Sequence, residues 1–310
     1  MLGIGDDAAA WQPSRSHLSV ISTDALVDGV HFDSAAMDAQ SIGRRAMASN
    51  LSDIAAMGAR PVLATIALGV APATSTQWIL ECYRGLRAAA DAHGTAIAGG
   101  DIVRAPALLL SLTVVGEVAR PRLRTRSGAR PGDVLAVTGA LGASRAGLEL
   151  MRRRLEVEPE LADAARAAFA LPQARVREGR WLAASAHVHA MMDCSDGLST
   201  DVARLARASA CGALLERVPI HPAADAVARA AGADPLSYAL DGGEDFELII
   251  AVAPRAFRHL AARFEQRFAR PLLVVGRLES EPGLRLHDEV EGPRALVTAG
   301  YDHLAHLAGS

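Results

Sequence analysis

Aspartates recur beside glycines where strands are predicted to end, and this pattern can bind metal ions. The set comprises Asp6 after Gly3-Ile4-Gly5, Asp24 after the strand 18–23, Asp101 after Gly99-Gly100, and Asp193 and Asp196 around Cys194-Ser195. A single aspartate in such a turn usually hydrogen-bonds its own backbone. Several of them form an oxygen-only ligand set of the kind that Mg²⁺ prefers, and the glycines let backbone amides approach an anion.

Two further acidic segments add to this pattern. Asn50 and Asp53 are three residues apart in a predicted helix, so their oxygens share one face, where Asp53 is either solvated or a ligand. The segment 241–247 places Glu244 and Asp245 after two glycines and directly before a predicted strand. A tight turn explains the glycines, whereas the two acids favour a ligand or substrate role.

The basic residues restrict the chemistry, because every one of the 32 is arginine. Without lysine the chain has no Walker A loop, no protein-kinase ATP lysine and no Schiff-base nucleophile. Phosphate chemistry would then depend on arginine, backbone amides and metal ions. Five arginines lie in 119–133, where most are expected to be solvated and one or two to reach a polyphosphate. The motif around Ser195 is not G-x-S-x-G, so a hydrolase triad is not supported.

Charge and cysteine content exclude several other classes of protein. The net charge of −3 gives no basic field for nucleic acid or for a membrane surface. No window approaches the roughly 18 apolar residues of a membrane span. The three cysteines are far apart in the sequence and form no C-x-x-C pair, which argues against disulfides and structural zinc. We therefore expect a cytoplasmic protein that binds neither nucleic acid nor membrane.

The elements that must position these residues alternate between strands and helices. Strands are predicted at 18–23, 62–70, 95–98 and 107–118, with helices at 38–57 and 75–92, and a similar alternation follows from Val134 onward. The Pro-, Gly- and Arg-rich segment 119–133 separates the two parts. The sequence predicts a mixed α/β protein with an N-terminal domain over 1–133 and a C-terminal α/β domain over 134–310.

Nine motifs, in order, resemble the thiamine-monophosphate kinase family, a branch of the aminoimidazole ribonucleotide synthetase-like ATP-binding superfamily. They include Gly-Ile-Gly-Asp-Asp-Ala at 3–8, Ile-Ser-Thr-Asp at 21–24, Asp-Gly-Val-His-Phe at 28–32, Asn-Leu-Ser-Asp-Ile-Ala-Ala-Met-Gly-Ala at 50–59 and Gly-Gly-Asp at 99–101. The others are Thr-Arg-Ser-Gly-Ala-Arg-Pro-Gly-Asp at 125–133, Asp-Cys-Ser-Asp-Gly-Leu at 193–198, Gly-Gly-Glu-Asp-Phe-Glu-Leu at 242–248 and Gly-Tyr-Asp-His at 300–303.

The resemblance implies a two-domain synthetase-like fold and a homodimer in which the N-terminal domains pair their sheets, with ATP near that interface. It implies magnesium ligands at Asp6, Thr23, Asp24, Asp53, Asp101, Asp193 and Asp196. It also implies ATP contacts at Tyr83, Gly100, Arg126 and Ser195, and substrate contacts at His31, Glu244 and Tyr301. The implied reaction converts ATP and thiamine monophosphate into ADP and thiamine diphosphate.

This reaction is compatible with the residues present. The acceptor phosphate has a second pKa of about 6, so it is largely a dianion near neutral pH and needs no general base. Its repulsion from the triphosphate has to be offset by several Mg²⁺ ions, and the transfer is expected to be direct and in line. Two alternatives stay open: a related ATP-using synthetase that releases phosphate, and a catalytically silent nucleotide- or metal-binding protein.

Overall fold

The computed structural model describes residues 13–288, 290 and 292–300. The chain divides into two compact units, the first formed by 1–123 with 170–185 and the second by 124–169 with 186–310. The strands are β1 (His17–Val27), β2 (Arg60–Val70), β3 (Ala96–Arg104), β4 (Leu109–Ala119), β5 (Val134–Val137), β6 (Val188–Asp193), β7 (Gly212–Leu215), β8 (Leu248–Val252), β9 (Leu273–Glu279), β10 (Leu284–Asp288) and β11 (Gly292–Ala295). The α-helices are α1 (Ala39–Ala56), α2 (Thr76–Ala92), α3 (Ala143–Arg152), α4 (Pro159–Ala170), α5 (Val176–Ala183), α6 (Leu198–Ala208), α7 (Pro222–Ala230), α8 (Pro235–Asp241) and α9 (Pro254–Phe268).

The first unit contains a four-stranded sheet in the order β1-β4-β2-β3. β4 pairs antiparallel with both β1 and β2, and β2 pairs parallel with β3. In this order β1 and β3 are the two edges of the sheet. Residues of β1 alternate in exposure, and the hydroxyl of Ser22 reaches α1, so Ser22, Asp24 and Leu26 face the helix.

Helices α1 and α2 pack against each other with their backbones in close contact. A Cβ atom built on Gly85 would lie 2.0 Å from the carbonyl oxygen of Gln40, and one on Gly43 would lie 2.1 Å from that of Cys82. No side chain larger than hydrogen fits at either position. The start of α1 is fixed by Asp38, whose carboxylate accepts the amide hydrogen of Ser41 at 2.9 Å. This close packing makes α1 a rigid support for the polar residues that it carries.

The opposite face of this sheet differs in exposure from strand to strand. Leu63, Ala98 and Val115 form a small buried cluster. Ile21, which is in register with Val115, is 70% exposed. Because burying a large aliphatic side chain is favourable, leaving Ile21 in water costs free energy.

The second unit contains a seven-stranded sheet in the order β11-β10-β7-β9-β5-β8-β6. β10 and β7 are parallel, and the other neighbouring pairs are antiparallel. Its main core includes Leu135 and Val137 from β5, Ile249 from β8 and Leu205 from α6, all fully buried. The antiparallel pairing of β6 with β8 brings the residues that follow β6 next to those that precede β8.

Two details of the sequence prediction are wrong. The first strand was expected to end before Asp24, yet β1 continues to Val27 because the buried Leu26 extends the alternation. Asp101 was expected in a glycine turn, but it lies within β3, which continues to Arg104. Both acids therefore project from strands rather than from turns.

Candidate functional site

Polar side chains of β1 and α1 meet on the helix-covered face of the first sheet. The hydroxyl of Ser22 donates to Oδ2 of Asp53 at 2.5 Å. Oδ1 of the fully buried Asn50 accepts the amide hydrogen of Asp24 at 3.1 Å. Asn50 is held in turn by the carbonyl of Ala46, to which its Nδ2 donates at 3.0 Å. Asp24, Asp53 and the neighbouring neutral oxygens thus form an oxygen-rich group.

The sequence predicted Asp24 and Asp53 as metal ligands and placed Asn50 on the same helix face as Asp53, but it gave no role to Ser22. Ser22 lies two residues before Asp24 in β1, and in a strand this spacing places both side chains on one face. The strand periodicity could therefore have identified it. Thr23 lies between them, so its side chain points to the other face. There its hydroxyl donates to the Leu112 carbonyl at 2.8 Å and accepts from Thr113 at 3.2 Å.

Gly100 and Asp101 lie on β3, at the far edge of the same sheet. Two strands separate β3 from β1, and three interstrand spacings of about 4.8 Å amount to roughly 14 Å. Asp101 is exposed, and its Oδ1 accepts the amide hydrogen of Ile102 at 2.8 Å. One copy of the sheet therefore does not bring Asp101 to Asp24.

The loop after β1 carries His31 in a fixed orientation. Its Nδ1 accepts the amide hydrogen of Val27 at 3.1 Å, which leaves the proton of the neutral ring on Nε2. Its carbonyl accepts from Nε of Arg45, a residue of α1 that is only 1% exposed. Asp28 braces the loop by accepting from both the amide and the hydroxyl of Ser34. His31 can thus donate a hydrogen bond through Nε2.

Tyr83 lies on α2 and is partly exposed. Burial raises the pKa of its phenol, and the neighbouring Cys82 raises it further. The phenol therefore stays protonated near neutral pH and can donate a hydrogen bond.

In the second unit, two polar loops pair with each other through their backbones. The amide of Glu244 donates to the Ser195 carbonyl at 2.7 Å, and the amide of Phe246 donates to the Cys194 carbonyl at 3.0 Å. These bonds place the predicted nucleotide contact Ser195 beside the predicted substrate contact Glu244. Glu244 and Phe246 have backbone φ angles of 58° and 51°, which residues other than glycine rarely adopt. Backbone strain of this kind is concentrated at functional sites.

The acids around this loop pair are mostly buried. Asp193 is 3% exposed, whereas Asp196 is partly exposed and is paired with Arg204. Burial raises the pKa of Asp201 to about 6, and the charge of Asp196 adds to this effect. Burial also raises the pKa of the Cys194 thiol well above its usual range, with nearby carboxylates contributing. Cys194 is thus a packed thiol and not a nucleophile.

Asp245 has a role that sequence reasoning did not assign. Its carboxylate accepts the amide hydrogens of Gly142 at 2.8 Å and Ser144 at 3.4 Å, so it caps the start of α3. Burial raises its pKa to about 7. Glu247 is also occupied within the fold, because it accepts from Thr138 at 2.5 Å and from Arg270 at 2.7 Å. Asp245 and Glu247 are therefore held within the fold.

Arg126 lies in a loop that several hydrogen bonds hold in place. The hydroxyl of Ser209 donates to the Arg126 carbonyl at 3.0 Å and accepts the amide hydrogen of Ala129 at 3.2 Å. The amide of Met191 donates to the Thr125 carbonyl at 3.0 Å. The main chain at Arg126 is therefore fixed on both sides.

Two predicted site residues, Asp6 and Tyr301, lie outside the described residues. Gly300, which precedes Tyr301, is described. A Cβ atom built on Gly300 would lie 2.5 Å from the carbonyl oxygen of Asp196. The last motif of the sequence therefore begins against the loop that carries Ser195 and Asp196.

Among the residues that the structure describes, no group of three or more His, Cys, Asp or Glu side chains is arranged to hold a metal ion by itself. In the same part of the chain, no helix is long and apolar enough to cross a membrane.

Comparisons with known proteins identify the family to which the chain belongs. The family of AIR synthase related proteins matches through its N-terminal domain at residues 5–118 and through its C-terminal domain at residues 130–289. A thiamine-monophosphate kinase of Rhodopirellula baltica is 40% identical over 294 residues, which cover 91% of this chain and 85% of the relative. This chain belongs to the thiamine-monophosphate kinase family.

Solved structures agree with this assignment. The thiamine-monophosphate kinase of Stenotrophomonas maltophilia has a TM-score of 0.84 at 35% identity, covering 92% of this chain and 90% of that one. AaThiL complexed with AMPPCP and TMP has a TM-score of 0.81 at 29% identity, covering 97% and 91%. The two-domain synthetase-like fold expected from the sequence is confirmed.

Proposed function

We propose that this protein transfers the terminal phosphoryl group of ATP to thiamine monophosphate, giving ADP and thiamine diphosphate. The observation that carries the proposal is the 40% identity to a thiamine-monophosphate kinase across 91% of the chain. The relative complexed with AMPPCP and TMP supports ATP as co-substrate and thiamine monophosphate as acceptor. The oxygen-rich group and the absence of lysine fit the same chemistry.

We propose Mg²⁺ as the metal, held by Asp24 and Asp53 in the first unit and by Asp193 and Asp196 in the second. The donors fit this ion, because Mg²⁺ is usually bound by one or two carboxylates, with substrate phosphates and water completing its shell. Two carboxylates beside the oxygens of Ser22 and Asn50 meet that description. When bound, Mg²⁺ would neutralise charge between the two phosphate groups. Asp6, Thr23 and Asp101 remain predicted ligands.

The chain itself has to bind and orient two anions, and no side chain has to remove a proton. The acceptor is a phosphate with a second pKa of about 6, so it can attack without a general base. His31 offers an Nε2 proton whose direction is set by the bond from Val27 to Nδ1. We propose that this proton is donated to the substrate, and that Glu244 balances the positive charge of its thiazolium ring.

For ATP, we propose contacts from Arg126 and Ser195 in the second unit and from Tyr83 and Gly100 in the first. An arginine guanidinium can bind two phosphate oxygens at once, which a chain without lysine needs. Tyr301 is proposed to stack on a ring of the substrate, as the family resemblance implies.

We further propose that the protein is a homodimer in which the open faces of two first-unit sheets meet. Ile21 is 70% exposed on that face. A cytoplasmic location is proposed because all three cysteines are buried free thiols, as expected in a reducing compartment.

The oligomeric state tests this arrangement. Size-exclusion chromatography should show the wild-type protein as a dimer, and Ile21→Asp, which places a charge on the open face, should shift it towards the monomer. A wild-type protein that elutes as a monomer would contradict the homodimer.

The activity is tested by incubating the protein with Mg²⁺, ATP and thiamine monophosphate and measuring thiamine diphosphate, ADP and free phosphate together. We expect thiamine diphosphate and ADP in equal amounts, with little free phosphate. ADP with free phosphate and no thiamine diphosphate would indicate a related synthetase. Absence of ADP would indicate a silent binding protein.

A further inference from the structure

Helix α6 connects the two loops that carry the proposed ATP contacts of the second unit. At its first end, Oδ2 of Asp201 accepts the amide hydrogens of Ser195 at 3.0 Å and Asp196 at 2.9 Å. Asp201 is fully buried, and its other oxygen accepts from Arg204 at 3.1 Å. Arg204 also pairs with the carboxylate of Asp196. The Ser195–Asp196 loop is thereby fastened to the first turns of α6.

At its second end, α6 holds the loop that carries Arg126. Ser209 follows the last residue of the helix, and its hydroxyl donates to the Arg126 carbonyl at 3.0 Å. The same oxygen accepts the amide hydrogen of Ala129 at 3.2 Å. One hydroxyl therefore fixes the main chain at Arg126 and again three residues later.

The helix between these two ends is well anchored. Leu198, Val202 and Leu205 are fully buried in the main core of the second unit. From Gly197 to Ser209 a helix rises about 18 Å, at 1.5 Å per residue. Because the helix is rigid, it sets the separation of the two loops.

We infer that Asp201 and Ser209 are positioning residues for the nucleotide, and that α6 sets the distance between the Ser195–Asp196 loop and the Arg126 loop. The inference rests on the proposed function, since that proposal makes Ser195 and Arg126 the nucleotide contacts. Both are proposed to act through main-chain groups. Ser209 holds the Arg126 loop, so its effect should fall on ATP and spare thiamine monophosphate. The loop that Asp201 holds also accepts the amide hydrogen of Glu244, so Asp201 can affect both substrates.

The test compares Ser209→Ala with Ser237→Ala in the otherwise intact protein. Ser237 is a matched control, because its hydroxyl also donates to a main-chain carbonyl, that of Asp234 at 2.7 Å, at the start of α8. Loss of both loop bonds should raise the KM for ATP, and the calorimetric Kd for magnesium–ATP, about five- to tenfold. The KM for thiamine monophosphate should stay within about twofold, and Ser209→Thr should restore ATP binding.

Asp201→Asn is the corresponding change at the other end of α6. The side-chain oxygen of asparagine can still accept the amide hydrogens of Ser195 and Asp196. The negative charge that pairs with Arg204 is lost. We expect weaker magnesium–ATP binding and a lower kcat. A variant that fails to fold is identified by its melting curve, and the test then rests on Ser209→Ala and Ser209→Thr.

Three results would overturn the inference. One is ATP binding by Ser209→Ala within twofold of Ser237→Ala. Another is an equal rise in both substrate KM values, which would indicate general loosening of the fold. The third is a wild-type protein that does not bind magnesium–ATP. If wild-type protein binds ATP but makes no thiamine diphosphate, the proposed function fails, while the calorimetry still tests α6.

Discussion

Replacing Gly100 with alanine should damage the first sheet and the nucleotide site together. Gly100 is in register with Ile66 of β2, and a Cβ atom built on it would lie 2.0 Å from the Ile66 carbonyl oxygen. Ordinary contact begins at 3.4 Å, so β3 would have to move about 1.4 Å away from β2. A backbone oxygen within a sheet cannot rotate aside as a flexible side chain can.

The size of the effect follows from this overlap. Overpacking costs about 1–3 kcal/mol, and a backbone clash places Gly100→Ala near the upper end. At about 2–4 °C per kcal/mol, the Tm should fall by about 6–12 °C. The shift of β3 also displaces Asp101, and a displacement of about 1 Å at a catalytic site lowers kcat/KM on the order of 100-fold.

Thermal melting and steady-state kinetics with ATP check this prediction, with Gly99→Ala as the control. Gly99 is the adjacent residue, and a Cβ atom built there meets nothing within 4 Å. We expect Gly99→Ala to melt within about 2 °C of wild type. The reasoning is refuted if Gly100→Ala melts like Gly99→Ala and keeps its kcat/KM for ATP.

Three further predictions concern charge, pH and buried hydrogen bonds. Asp53→Asn should lower kcat on the order of 10²–10³-fold without lowering the Tm, and the exposed Asp91→Asn should lower neither, as measured by kinetics across Mg²⁺ concentrations. His221 caps α7 by accepting the amide hydrogen of Ala223, and burial lowers the pKa of its imidazole. The stability of the folded state should therefore fall as the pH drops below about 6.5. His221→Asn should remove this part of the pH dependence of Tm. Thr138→Val should cost about 2 kcal/mol or more in urea unfolding, because it removes hydrogen-bond partners of buried groups.

Each of these has a contradicting outcome. An active Asp53→Asn enzyme would remove that residue from the metal ligands. The sign of the histidine effect follows from proton uptake: between the lowered folded pKa and about 6.5 the unfolded state binds more protons, so stability must rise with pH. An unchanged slope in His221→Asn would contradict that assignment. A Thr138→Val protein as stable as wild type would show that Glu247 finds other partners.

The sequence predicted the first unit well because its signals are local. The helices predicted at 38–57 and 75–92 match α1 and α2, and Gly58, with a φ of 68°, ends α1 in the left-handed conformation that glycine favours. In the second unit, α7, α8 and α9 were not predicted. Each begins with proline, at Pro222, Pro235 and Pro254, which is a usual residue of the first helical turn. That signal was available in the sequence.

The site was predictable only to the level of residue types and local spacing. The shared face of Asn50 and Asp53 follows from helix periodicity and is confirmed by their contacts with β1. The strand order is a long-range property. Because β4 and β2 lie between β1 and β3, Asp24 and Asp101 are separated, and no local spacing reveals this. The cap that Asp245 provides to α3 joins residues 103 positions apart, so it was equally hidden.

Tracing the transferred group tests the central claim most directly. The protein is incubated with Mg²⁺, thiamine monophosphate and ATP that carries a radiolabel in its terminal phosphate, and the products are separated by chromatography. We predict that the label appears in thiamine diphosphate in step with the formation of ADP. Label that appears in inorganic phosphate, with thiamine monophosphate left unchanged, would contradict the account.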